Sequence, residues 1–131
     1  SGTTILEAIK NAVSKNTEIE YNKQGNFSSG NNLADVGIVV VGEKPYAEGW
    51  GDNASPSLSP EDLSAIAKTK IKSKKIVVII ISGRPLDISS YSKNWDSVVA
   101  SWLPGSEGEG VTDVLFGLYP FSGILPVEWN Y

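Results

Sequence analysis

The run Lys75-Ile76-Val77-Val78-Ile79-Ile80-Ile81 constrains the fold more than any other stretch of the chain. After its lysine every side chain is β-branched and apolar, so neither face of a strand built from it can meet water. A run of that length and type reads as a strand buried on both sides, the mark of a parallel sheet. Residues 36–41 repeat the character, broken only by Gly37 and bounded by Asp35 and Gly42. Between the two, Ser59-Pro60-Glu61-Asp62 offers an N-cap, a proline at the first helical position and acids in the first turn. Leu63, Ile66, Ala67 and Ile71 follow at helical spacing. The product is a strand–helix–strand unit with a right-handed crossover.

The remaining segments extend that pattern. Over 4–13, Ile5, Leu6, Ile9 and Val13 share one helical face and Thr4-x-x-Glu7 forms a capping box. Residues 17–21 alternate Ile19 and Tyr21 with Glu18 and Glu20, which predicts a short half-covered strand, and 24–32 form a Gly/Asn/Ser loop. Residues 97–103 supply a third buried strand. Ser106-x-x-Glu109 predicts the cap of a helix carrying Val111, Val114 and Leu115 and ending at Gly117, and Leu125-Pro126-Val127 reads as an edge strand or a wrap. The expected class is α/β, a mostly parallel sheet with helices on both faces. A chain of 131 residues fits one such domain with one core.

Composition narrows the chemistry. The chain has no Cys, His or Met, which excludes a Ser-His-Asp triad, a thiol nucleophile, haem ligation and N/S-ligand zinc. Any acid or base is Asp, Glu, Lys or Tyr. A net charge of −4 gives no long-range attraction for nucleic acid or for an anionic membrane. The longest apolar run, 76–81, is far below the roughly 20 residues of a membrane span, and no signal-type segment opens the chain. The absent initiator Met suggests a piece of something longer. Absent Cys excludes disulfides without choosing a compartment.

Ligands of open α/β sheets bind beyond the carboxyl ends of the strands, and three loops leave those ends. The first, Gly42-Glu43-Lys44-Pro45-Tyr46-Ala47-Glu48-Gly49-Trp50-Gly51-Asp52, gathers three carboxylates and two aromatics in a connection long for its class. It is either a site or a solvated acidic loop whose Tyr46 and Trp50 cover the sheet end. The second, Ser82-Gly83-Arg84-Pro85, holds the only Arg, either in a simple turn or in an ion pair that orients an acid of the first loop. The third, 102–110, is glycine-rich at a helix start. Glu107 and Glu109 there oppose a phosphate, so its glycines serve close packing of the turn and Trp102 is core or site wall. Carboxylates beside aromatics suit a sugar, which has both an apolar face and hydroxyls.

Five ordered blocks carry a more specific signal. Gly2-Thr3-Thr4-Ile5-Leu6-Glu7-Ala8-Ile9, the segment from Val40 to Gly49 followed by Gly51-Asp52, Ile81-Ser82-Gly83-Arg84-Pro85-Leu86, Ala100-Ser101-Trp102-Leu103-Pro104-Gly105-Ser106-Glu107-Gly108 and Val111-Thr112-Asp113-Val114-Leu115-Phe116-Gly117 together resemble the C-terminal α/β-sandwich domain of glycoside hydrolase family 3, of the β-glucosidase and exo-β-glucan glucohydrolase type. The resemblance implies a retaining hydrolase of terminal β-D-glucosidic bonds, acting on a β-glucoside or short β-glucan without cofactor or metal. It implies an N-terminal (β/α)8 barrel domain, absent from this chain, as the source of the aspartate nucleophile. Glu48, last in Glu-x-Pro-Tyr-x-Glu, would be the general acid/base, with Glu43, Tyr46 and Asp52 supporting; the residues themselves add Trp50 and Arg84 as substrate-binding or supporting candidates. The acid must hold its proton near neutral pH, which burial or the facing carboxylate provides. A secreted or periplasmic location also follows from the resemblance.

The departures are specific. Gly123-Ile124-Leu125-Pro126 stands where the family has Gly-Arg-Leu-Pro, Gly117-Leu118-Tyr119-Pro120 lacks an acidic residue and an Asn, and a first strand–helix unit expected before Gly2 is missing. An incomplete sheet predicts an exposed edge or apolar face. Two other classes stay open on the residues alone: a non-catalytic sugar-binding or scaffold domain, and a flavodoxin-like nucleotide domain.

Overall fold

The computed structural model describes residues 2–28, 30–47 and 49–131. In chain order the elements are α1 (Ile5–Ala12), β1 (Ala34–Gly42), α2 (Pro60–Ile71), β2 (Ser73–Ile81), a 3-10 turn (Ser92–Asn94), β3 (Ser97–Trp102) and α3 (Gly108–Leu115). They fall into two compact units, Ser1–Glu20 with Leu103–Pro126 and Tyr21–Trp102 with Val127–Tyr131.

The larger unit is built on the strand–helix–strand pattern. Its three strands form an open parallel sheet in the order β1-β2-β3, with Val36 opposite Lys75, Gly42 opposite Ile81 and Val77 opposite Ser97. Together with the helices this is the α/β class expected from the sequence. Alternation along β2 places Ile76, Val78 and Ile80 on one face, where they meet Val39 and Val41 of β1, Ala65 and Ile66 of α2, and Leu58, Leu86, Ile88 and Trp129. Ser59 caps α2 as its position predicts, its Oγ accepting the Asp62 N–H at 3.1 Å, and Pro60 opens the first turn.

Gly37, the one break in the β1 run, has a packing reason. A Cβ there would stand 2.3 Å from Ser73 Oγ and 2.8 Å from Thr69 Cγ2. The two side chains that face Gly37 are themselves tied to the end of α2, Thr69 Oγ1 donating to the Ala65 carbonyl and Ser73 Oγ to the Thr69 carbonyl, each at 2.8 Å. The register of β2 and β3 shifts between Ile80 and Ile81, which pair with Ala100 and Trp102. Trp102 closes β3 with φ at 52°, a left-handed conformation costly for a bulky residue. In that conformation its carbonyl accepts the Ser82 N–H at 3.1 Å and its ring meets Trp129 edge-on at 5.7 Å.

The smaller unit pairs α1 with α3. The Thr4 capping box forms as expected: Thr4 Oγ1 accepts the Glu7 N–H at 3.2 Å and the Glu7 carboxylate accepts the Thr4 N–H at 2.9 Å. The bond from the Thr4 N–H, and after it one from the Thr4 hydroxyl at 2.9 Å, hold the Glu7 carboxyl below its ordinary range. At α3 the expected Ser106 cap is corrected. The helix starts one residue later, with Glu107 at its N-cap and no side-chain cap bond. The chain around Ser106 is committed elsewhere, since the Ser106 carbonyl accepts the Thr3 N–H and the Gly108 N–H reaches the Thr3 carbonyl. Gly108 is required there because a Cβ would lie 2.6 Å from the Thr3 and Thr4 carbonyl oxygens, so this turn uses glycine for close packing. α3 ends as predicted at Gly117, φ 80°, in a Schellman arrangement: Leu118 N–H to Asp113 O at 2.8 Å and Gly117 N–H to Val114 O at 3.1 Å.

Residues 17–21 fail as a strand, β3 forms without the burial expected of it, and 125–127 take the wrap rather than the edge strand. Residues 17–21 alternate in sequence but take no strand conformation, and Tyr21 is exposed. An alternating segment becomes a strand only against a neighbour, and the sheet among the described residues has just β1, β2 and β3. Residues 125–127 are likewise irregular; the tail is a wrap that carries Trp129 into the core.

Candidate active site

Register brings the two candidate loops together. Gly42 and Ile81 are partners at the carboxyl ends of β1 and β2, and the Glu43 N–H donates to the Ile81 carbonyl at 3.2 Å. Glu43 and Ser82 therefore leave adjacent strands side by side, and Arg84 follows two residues on.

Arg84 is the centre of the arrangement. Its Nη2 donates to Glu43 Oε1 at 2.7 Å and its Nε lies 3.0 and 3.3 Å from Glu43 Oε1 and Oε2. Nη1 donates to the Gly51 carbonyl at 2.6 Å, and the guanidinium carbon sits 4.5 Å from the centroid of the Tyr46 ring, a cation–π contact. The pair is largely withdrawn from solvent, with side-chain exposures of 25% for Arg84 and 13% for Glu43. The hydrogen bond to Glu43, followed by the charges of Glu43, Tyr46 and Asp52, raises the Arg84 pKa above its ordinary value.

Two supporting parts were not singled out from sequence. The Ser82 hydroxyl accepts the Arg84 backbone N–H at 3.1 Å and faces both Glu43 Oε2, at 3.1 Å, and the Arg84 carbonyl. With one proton it donates to one of these at a time. Gly51 contributes its carbonyl and its missing side chain, since a Cβ would stand 2.2 Å from Tyr46 Cδ2. A small residue directly after a buried strand was the only available signal for Ser82, and a glycine beside an aromatic for Gly51.

Of the expected site residues, Glu43, Tyr46 and Arg84 are thus brought together. Asp52 is exposed and acts on Arg84 through space, while Trp50 is 96% exposed and so does not cover the sheet end. Around Trp50 the backbone makes a turn, with Gly49 at φ 77° and the Gly51 N–H bonded back to the Ala47 carbonyl at 2.9 Å. Glu48 lies outside the described residues. Among the described residues no group of His, Cys, Asp or Glu is arranged to hold a metal ion. A groove of about 600 Å³ between α2 and the 3-10 turn, lined by Leu63, Lys70, Ile71, Tyr91 and Trp95 among others, contains no carboxylate and so lacks the carboxyl pair that glycoside hydrolysis uses.

Comparison with known proteins gives this geometry its setting. A periplasmic beta-glucosidase of Salmonella typhimurium is 33% identical over 101 residues, covering 73% of this chain and 13% of the relative. A lysosomal beta glucosidase of Dictyostelium discoideum is 32% identical over 73% of the chain and 12% of its own length. A beta-xylosidase of Formosa agariphila is 32% identical over 87% of the chain and 18% of its own length. The chain therefore spans less than a fifth of these relatives. The family description that matches, over residues 1–131, is the glycosyl hydrolase family 3 C-terminal domain, and the chain belongs to that family.

Proposed function

We propose that this chain is the part of a retaining β-glucosidase that supplies the general acid/base, Glu48, to a site completed by an aspartate of a (β/α)8 barrel domain. The observation that carries this reading is the engagement of Glu43. Of the three carboxylates in the loop, Glu43 is tied to Arg84 on one side and faces Ser82 on the other, so it is a fixed structural acid. Glu48 is left in the position that the family pattern reserves for proton transfer.

In the first step the aspartate attacks the anomeric carbon while Glu48 donates its proton to the departing glycosidic oxygen. In the second, Glu48 takes a proton from water as that water displaces the aspartate, which restores both groups and retains the configuration. Retention requires the two carboxyl groups about 5–5.5 Å apart, so the partner acid must approach the carboxyl end of the sheet. No cofactor enters either step.

The test uses the longer protein with its barrel. Glu48→Gln should lower turnover of alkyl glucosides by roughly 10²–10⁴-fold while sparing the first step on a dinitrophenyl glucoside, whose aglycone leaves unaided. A burst followed by slow turnover, accelerated by azide, completes the expected signature. Equal losses on both substrates without azide rescue would assign proton transfer elsewhere. The match to a beta-xylosidase over most of the chain favours one alternative within the same chemistry, a β-xyloside substrate lacking the hydroxymethyl group of glucose. Comparing kcat/KM on the two aryl glycosides decides between them.

A further inference from the structure

We infer that Arg84 is the positioning residue of the catalytic loop, a single cation that fixes the start, middle and end of the segment carrying Glu48; this rests on the function proposed above. The start is Glu43, held through two guanidinium nitrogens. The middle is Tyr46, whose ring lies against the same guanidinium. The end is Gly51, whose carbonyl takes the remaining terminal nitrogen.

Three features separate this arrangement from an ordinary ion pair. The donors are used in different directions, which only a planar fork of five N–H groups permits; the ammonium of a lysine could satisfy the Glu43 charge but could not reach Gly51 and cover Tyr46 together. The guanidinium is spent on partners within the chain, which is the ion pair to an acid of the first loop considered from sequence. It is anchored at its own base, because the Arg84 N–H bonds to Ser82 Oγ directly after the buried strand β2. The loop is thereby referred to the most buried part of the sheet, where Val78, Ile79 and Ile80 are fully excluded from solvent. Proton transfer is sensitive to such referencing, since misplacing a catalytic group by about 1 Å can cost on the order of 10²-fold in rate.

The test has two arms. In the 131-residue chain, amide hydrogen exchange is followed at Gly51 and Asp52, whose N–H groups close the turn onto Ala47 and Gly49, and at Ile76–Ile81 as a reference. Arg84→Ala should speed exchange at the two loop amides by roughly tenfold or more while the strand amides keep their protection. Arg84→Lys should fall between. Gly51→Ala keeps the ion pair but drives a methyl into the Tyr46 ring, and should loosen the same amides even if Arg84→Ala fails to fold. Unchanged loop exchange in the folded variants overturns the inference.

In the barrel-bearing protein, Arg84→Ala should lower kcat on alkyl glucosides by about 10²-fold with little change in KM and spare the dinitrophenyl substrate, with partial recovery in Arg84→Lys. Equal losses on both substrates overturn the catalytic consequence. Absence of all glycosidase activity in the unmodified protein instead removes the proposed function, and the exchange arm still decides whether Arg84 orders the loop.

Discussion

Asp96 and Ile76 hold each other twice: the Asp96 carboxylate accepts the Ile76 N–H at 2.8 Å, and the Asp96 N–H donates to the Ile76 carbonyl at 3.2 Å. The exchange lies just before Val77 pairs with Ser97, so a side chain extends the ladder where β3 has yet to begin. The Ile76 N–H, and after it Lys75 at 3.2 Å, holds the Asp96 carboxyl below its usual range. A depressed carboxyl stabilises the fold fully above its unfolded pKa, about 3.9, and that contribution disappears as pH falls through the lower folded value. The thermal midpoint should therefore drop below about pH 4. Asp96→Asn should lower the midpoint at neutral pH and flatten the acid drop, leaving the slope due to Glu7 and Asp87, which are also held low. Parallel curves for the two proteins would remove Asp96 from the account.

Gly37 tests the close passage of α2 over β1. Strand propensity alone favours valine there, since its neighbours are Val36 and Ile38. Gly37→Val should instead destabilise by about 1–3 kcal/mol, because its Cβ falls within the space of Ser73 and Thr69. Urea denaturation measures this, and a more stable variant would contradict the packing described.

The helix caps separate a formed motif from a mimic. Ser59→Ala should cost about 1 kcal/mol through loss of the bond from Asp62, and Thr4→Ala a similar amount. Ser106→Ala, with the same motif in sequence, should stay within about 0.5 kcal/mol because its side chain makes no cap bond. A cost at Ser106 equal to that at Ser59 would restore the cap expected from sequence.

Trp129 is buried, and its Nε1 has no hydrogen-bond partner among the described residues. A buried N–H without a partner lowers the worth of the residue that carries it. Trp129→Phe, which removes that N–H and keeps an aromatic ring against Trp102, should change stability by no more than about 1 kcal/mol. Trp129→Ala should cost about 3–5 kcal/mol. Similar losses in both variants would mean that the indole N–H is satisfied.

What could be read in the sequence is what depends on near neighbours. The runs at 36–41 and 75–81, the Ser59-Pro60 helix start and the Thr4 box each state their structure within a few residues, and each is present. Features that depend on a distant segment were not legible. The alternation of 17–21 lacked a strand to pair with, and Ser106 had the composition of a cap while its backbone belonged to Thr3. Arg84 shows both sides. Its loop and Glu43 could be set on the same sheet end from topology, but its reach to Gly51 depends on how the intervening segment folds back. The left-handed Trp102 has no local signal, since nothing in a tryptophan at a strand end announces a positive φ.

The return of Val127–Tyr131 to the unit of Tyr21–Trp102 has a consequence for how the protein is made. During synthesis β1, α2, β2 and β3 emerge in order, and their mutual pairing needs nothing later. The cluster around Ile80 and Leu86 is nonetheless completed by Trp129, and the Ile88 N–H waits for the Asn130 carbonyl. Contacts across such a separation form late and leave apolar surface exposed in the interval. A stop codon after residue 126 would still encode every strand and helix found among the described residues, with the core around Trp129 unsealed.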